Sequence, residues 1–140
     1  RSLEKAEKIA GICNDRYNSK NVKGGADADK SDFFNAADIV LNTGAAGIQL
    51  MSEEHIKNSN TLKICADTNA VPPSGIAGVD VMDNGKVIDM SPSKCLGIGA
   101  LAIGNIKYKS QHECLKLMYT SEKPVYLDFE DAFKFAQKSV

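Results

Sequence analysis

Apolar residues near the start of the chain recur at intervals of three and four. Leu3, Ala6, Ile9, Ala10, Cys13 and Tyr17 form one stripe, with Lys5, Lys8, Asp15 and Arg16 on the opposite side. This is the period of an amphipathic helix. A polar, Gly-rich stretch follows over 21–30, with at most a short strand near Val22, and Ser31 is placed to cap a brief helix over 32–37. The pattern then changes. Asp38-Ile39-Val40-Leu41-Asn42-Thr43-Gly44 is a short continuous apolar run ending in a loop, which predicts a strand buried on both faces. Ser52 caps the next helix, with Glu53 and Glu54 at the positive end of its dipole. Residues 58–61 break that helix, and 62–67 form the next strand.

Strand, helix and strand in this order predict a right-handed βαβ unit and a parallel sheet. Val79 to Met82 and Val87 to Met90 flank Asp83-Asn84-Gly85-Lys86, which has the composition of a hairpin turn. A long helix is expected from about Ile98 to Tyr119, and a last one over 128–139 with Phe129, Ala132, Phe133 and Ala136 on one face. No internal repeat is present. The fold class is α/β.

A chain of 140 residues suits one domain. Hydrophobic residues make up 43% and charged ones 25%, ordinary globular usage, so no unusual composition overrides the pattern. A net charge of −1 without a basic run, together with 6% aromatics, argues against nucleic acid or an anionic membrane as partner. No apolar stretch approaches the roughly 20 residues that span a bilayer. Cys13, Cys65, Cys95 and Cys114 show no CxxC spacing and sit among apolar neighbours, as reduced core cysteines of a cytoplasmic protein do. His55 and His112 both fall within helices, away from any triad-like pattern.

Three segments are candidates for chemistry. Gly97-Ile98-Gly99-Ala100-Leu101-Ala102 matches GxGxxA, but Met90-Ser91-Pro92-Ser93-Lys94 before it is poor strand material, and too little chain follows for a nucleotide-binding half. The better reading is a Gly-rich helix entry that passes close to another backbone or a ligand. The candidate there is Gly99 to Lys109, whose small residues let the helix start abut a cofactor ring. Its Lys107 or Lys109 either meets phosphate or a substrate carboxylate or is a solvated surface lysine. In open α/β sheets ligands sit beyond the carboxyl ends of the strands. The first such end is Asn42-Thr43-Gly44-Ala45-Ala46-Gly47, where small residues let the backbone approach a flat ligand or simply make a tight connection. The second is Asp67-Thr68-Asn69-Ala70-Val71-Pro72-Pro73, either a stiff polar rim to a site or a turn in which Asp67 and Asn69 cap local backbone groups.

At these segments the chain resembles the bacterial NADP-dependent methylene-tetrahydromethanopterin dehydrogenases. Arg1-Ser2-Leu3-Glu4-Lys5-Ala6 is similar to the family's stretch after its second strand, Thr43-Gly44-Ala45-Ala46-Gly47-Ile48 to its cofactor loop, and 66–80 to its most specific signature. The stretch from Gly99 to Lys109 and the closing helix are similar again. Ala46 stands where a bulkier apolar residue is usual, and Ser2 replaces a basic residue beside Arg1. The resemblance implies a Rossmann-like doubly wound parallel sheet, incomplete here. The chain would be its carboxyl-terminal portion, without the first strand, the Gly-rich phosphate loop and an upstream pterin-binding domain.

It also implies hydride transfer from the methylene bridge of a tetrahydromethanopterin-type pterin to C4 of the nicotinamide, with NADP, or NAD, as cofactor and a homo-oligomeric assembly. Loss of hydride leaves a cation stabilised by two flanking nitrogens, so no catalytic acid or base is expected. Carried onto this sequence, Arg1 and Lys5 would hold the 2′-phosphate. Thr43, Gly44, Ala45 and Ala46 would pack on the ribose and nicotinamide, and Asp67 and Asn69 would sit near the reacting ring. Gly104 would orient the carboxamide and Lys107 would meet the substrate. The alternatives are a related NADP dehydrogenase of tetrahydrofolate or shikimate type, and a non-catalytic dinucleotide-sensing or oligomerisation module.

Overall fold

A computed structural model describes residues 2–139. The apolar stripe at the start forms helix α1, Leu3–Tyr17, closed by Asn18 in the left-handed conformation that Asn tolerates. Asn14 then fixes the chain that turns back. Its side chain donates to the Val22 carbonyl (2.9 Å) and accepts from the Val22 N–H (3.0 Å), so the segment near Val22 is held without becoming a strand. Helix α2, Lys30–Ala36, begins two residues earlier than expected because a 3₁₀ turn over Asp27–Asp29 feeds it directly. Asp29 rather than Ser31 is its N-cap, and Ser31 lies inside it against His55.

The βαβ unit forms as predicted. Strand β1, Ile39–Asn42, pairs in parallel with β2, Ile64–Asp67, and helix α3, Glu53–Asn58, lies between them in sequence. Ser52 caps α3, and His55 completes the box by accepting the Ser52 N–H on Nδ1 at 3.0 Å. That bond leaves the ring proton on Nε2, which faces the Ser31 hydroxyl at 3.2 Å. His55 is therefore structural, and its ring also meets the Phe34 ring edge-on.

The expected hairpin at Asp83 to Lys86 does not form. Asn84 to Lys86 instead lie in a strand, β3, Asn84–Val87, antiparallel to β4, Leu96–Ile98. Gly85 takes φ +81°, but at a register shift between Asn84 and Lys86 rather than at a turn. A glycine at positive φ serves a bulge as well as a turn, and the sequence signal for the two is the same. β4 itself runs through Gly97 and pairs in parallel with β2, so the sheet order is β1-β2-β4-β3. Helix α4, Ala100–Thr120, follows at once and packs on helix α5, Phe129–Gln137, which Asp128 caps through the Glu130 and Asp131 N–H groups. Among the described residues the result is an open, mostly parallel sheet with five α-helices, a Rossmann-like α/β arrangement. Among the described residues no helix is long and apolar enough to cross a membrane.

The two faces of the sheet differ. Register places Val40, Cys65 and Gly97 on one face, where Met51, Ile56, Leu62, Ile76, Val79 and Ile88 build the core and Phe34 packs from α2. The other face carries Ile39, Ile64 and Leu96 in one row and Leu41, Ala66 and Ile98 in the next. There Ile39 is 55% and Leu41 70% exposed. The expectation that β1 is buried on both faces is thus corrected: β1 is an edge strand covered on one face. Total accessible surface is 9966 Å², against about 7,000 Å² for a compact chain of this mass. The excess is surface that this stretch of chain does not cover by itself.

Candidate functional site

The crevice lies where β1 and β2 end side by side, with Asn42 opposite Asp67. Asp67 is 1% exposed, yet it has no cationic partner among the described residues. Three donors take that place. Oδ1 accepts from Asn42 Nδ2 (2.7 Å) and the Asn69 N–H (2.9 Å), and Oδ2 accepts from the Ile76 N–H (3.0 Å). Both oxygens act as acceptors toward these donors. Asn69, also buried, accepts from the N–H groups of Val71 (3.0 Å) and Gly47 (3.3 Å) on Oδ1 and donates to the Pro73 carbonyl (3.0 Å).

Asp67 and Asn69 therefore do make the local backbone caps open to them in the sequence. They do more, because each also reaches the loop after β1. Their side chains bond to the protein on both sides of the crevice and so hold its rim in shape.

Above them Thr43, Gly44, Ala45 and Ala46 are exposed, and Gly47 turns the chain at φ +73°. Small side chains on a loop fixed from below leave the backbone open to a flat ligand. On the other side of the rim is a cleft of about 300 Å³ lined by Asn69, Val71, Pro72, Val79 and Asp80. The residues present therefore fit the open strand-end cradle that a dinucleotide's ribose and ring require.

The other sequence-predicted residues are placed elsewhere. Lys5 lines a separate cleft of about 350 Å³ between α1 and the Gly24-Gly25 segment, where Lys23 joins it over an apolar floor of Ile9 and Val22. Gly104 lies inside α4 with open space beside it, since a Cβ there would meet nothing within 4 Å. Lys107 is exposed on the same helix, and neither residue lines the strand-end cleft. Arg1 lies outside the described residues. The close approach expected at the Gly-rich helix entry is made by Gly99. Its N–H donates to the Asp83 carbonyl (2.8 Å), and a Cβ there would overlap the Asp80 carbonyl and the Val81 backbone. Gly97, the first glycine of the GxGxxA pattern, sits within β4 opposite Cys65, so the pattern makes no phosphate loop.

Sequence reasoning gave no role to Asn42 and Gly75. The signal was an amide closing an otherwise apolar strand. Cys65 and Cys95 are buried side by side in the core, and all four cysteines are free thiols. Burial, reinforced by the neighbouring Cys95, pushes the Cys65 thiol up to about 12. Such a thiol is packing material rather than a nucleophile.

No protein-family model matches the chain. The NAD(P)-dependent methylenetetrahydromethanopterin dehydrogenase of Methylorubrum extorquens is 42% identical over 100 residues, which is 71% of this chain and 33% of that protein. The chain is homologous to that dehydrogenase over this stretch. The bifunctional protein MdtA of the same organism is 32% identical over 140 residues, 99% of this chain and 47% of that protein. The chain thus spans less than half the length of either relative, and the resemblance found in its motifs is borne out.

Proposed function

We propose that this chain forms the dinucleotide-binding portion of a methylene-tetrahydromethanopterin dehydrogenase, an oxidoreductase of one-carbon metabolism that uses NADP, with NAD as the other candidate. The observation that carries the reading is the strand-end crevice. Exposed Thr43 to Ala46 stand over a buried Asp67–Asn69 scaffold, in a chain homologous to a dehydrogenase that bears this name.

The bound nicotinamide supplies the hydride-accepting carbon. This chain supplies position. The Thr43–Ala46 backbone supports the ribose and ring, and Thr43 itself is exposed. Asp67 and Asn69 act at this site by holding the loops, and Val71 and Pro72 wall the cleft. Lys5 serves the 2′-phosphate together with Arg1, and the cleft that Lys5 shares with Lys23 supports a phosphate-bearing end there. Gly104 and Lys107 are carried forward as carboxamide and substrate contacts from α4. No residue moves a proton in this scheme. A homo-oligomeric assembly is carried forward from the resemblance.

The test is calorimetric titration of the native polypeptide with NADP and NAD, followed by nicotinamide absorbance on addition of the methylene pterin. The expected result is tight dinucleotide binding and pterin-dependent reduction. Binding of neither dinucleotide overturns the proposal, and reduction with the methylene-tetrahydrofolate analogue alone reassigns the substrate.

A further inference from the structure

Asn42 closes β1 and is 4% exposed, and each end of its amide holds a different segment. Oδ1 accepts the Gly44 N–H (3.0 Å), and Nδ2 donates to Asp67 Oδ1 (2.7 Å). The orientation is fixed, because Gly44 N–H can only donate and the carboxylate can only accept. The Asn42 carbonyl in turn accepts the Thr68 N–H (3.1 Å) and Oγ1 (3.0 Å). Glycines crowd the amide on two sides. A Cβ on Gly75 would overlap it, and one on Gly44 would come within 3.0 Å of Oδ1.

These contacts belong to a larger arrangement. The loop from Thr43 to Met51 is tied to the segment from Asp67 to Ile76 at its start by Asn42, in its middle by the Gly47 N–H on Asn69, and at its end by the Leu50 and Met51 N–H groups on the Gly75 carbonyl (2.8 and 3.0 Å). Asn42 makes the first tie and packs on the glycine that makes the third. An alanine at this position would leave the Gly44 N–H and one Asp67 lone pair without partners. A serine would keep an oxygen for Gly44, as such short turns allow, and would lose Asp67.

We infer that Asn42 is a positioning residue for the dinucleotide: buried beneath the Thr43–Ala46 loop, it sets the backbone on which the ribose and nicotinamide rest without touching them. The inference rests on the dinucleotide reading above. The test uses the native polypeptide with Asn42→Ala, Asn42→Ser and, as control, Ser59→Ala. Ser59 is equally buried and donates to the His55 and Phe34 carbonyls, in contact with the core rather than the crevice.

The expected result for Asn42→Ala is a tenfold or greater rise in Kd and KM for NADP, with kcat at saturating cofactor and KM for the pterin unchanged and faster exchange of the Gly44 amide proton. Asn42→Ser falls between this variant and the unmodified protein, and it carries the comparison if the alanine variant does not fold. Ser59→Ala leaves Kd unchanged. A wild-type Kd in Asn42→Ala or Asn42→Ser overturns the inference, as does an equal loss in Ser59→Ala, which would mark a general effect of stability. Failure of the unmodified protein to bind either dinucleotide is a separate result. It removes the dinucleotide reading and this inference with it, whatever the variants do.

Discussion

Replacing Asp67 by Asn changes one oxygen to NH₂ and removes a buried charge, and the two effects oppose each other. Taking an ion out of water costs several kcal/mol, so removing the charge relieves part of that cost. Three short hydrogen bonds have already replaced the water here, at 2.7, 2.9 and 3.0 Å, which makes the relief small. The losses are larger. Both carboxylate oxygens face donors, so the new amide must turn NH₂ toward one of them. The cheaper choice faces Ile76, losing one bond to a charged group, about 1.5–3 kcal/mol, and stranding a buried N–H at about 1–3 kcal/mol. The two remaining bonds also fall from charge-assisted to neutral strength.

The net expectation is destabilisation by about 3 kcal/mol after the charge relief. For a chain of this size that is a fall in Tm of roughly 10 °C, read by circular dichroism on heating and by the urea midpoint. An Asp67→Asn protein as stable as the parent would refute the reasoning, because desolvation would then outweigh the three bonds.

Four further outcomes follow from the same structure. Gly99→Ala forces a Cβ into the Asp80 carbonyl and Val81 backbone and costs about 3 kcal/mol, whereas Gly104→Ala, in open space inside α4, gains up to about 1 kcal/mol by denaturant titration. If Gly104 also faces the carboxamide, that stabler variant binds NADP more weakly, which calorimetry reads. His55→Ala removes the α3 capping box and the contact with Phe34 and lowers stability by about 1–2 kcal/mol in urea unfolding. Thiol titration of the folded protein labels Cys13 and Cys114 first and Cys65 and Cys95 only on unfolding. The Cys65 thiol, held neutral up to about 12 against an ordinary 9.0, keeps its proton in the folded state while the unfolded chain releases it. The unfolded state then binds fewer protons, so stability falls as pH rises from 9 toward 12, and Cys65→Ala flattens that slope.

Much of this architecture is legible in the sequence where local and global signals agree. The 3.6-residue stripe marked α1, and the Ser52 cap of α3 with the two apolar runs around it marked the βαβ unit and its parallel pairing. Legibility fails where the deciding contact is distant. Gly85 reads as a turn because a bulge needs the same backbone angle, and only pairing with Leu96–Ile98 distinguishes them. Strand β4 is three residues long with a glycine at its centre, too little for periodicity to register. The apolar run of β1 says nothing about which neighbours are present to cover it. Within the crevice, residue type marked Asp67 and Asn69 as polar strand-end groups but did not tell a ligand contact from a scaffold. That distinction lies in their hydrogen-bond partners, Gly47 and Ile76 among them.

The uncovered face of β1 bears on how long the chain survives in a cell. Ile39-Val40-Leu41 is a β-prone apolar run at a sheet edge, and such a run recruits other strands when it stays exposed. The flanking Asp38–Lys63 ion pair (2.8 Å) puts charge at one end of the strand and discourages stacking from that side. Along Ile39 and Leu41 there is no such guard. A face left uncovered in this way favours wrong pairing, so the rate at which it is sheltered matters beside the free energy of the fold.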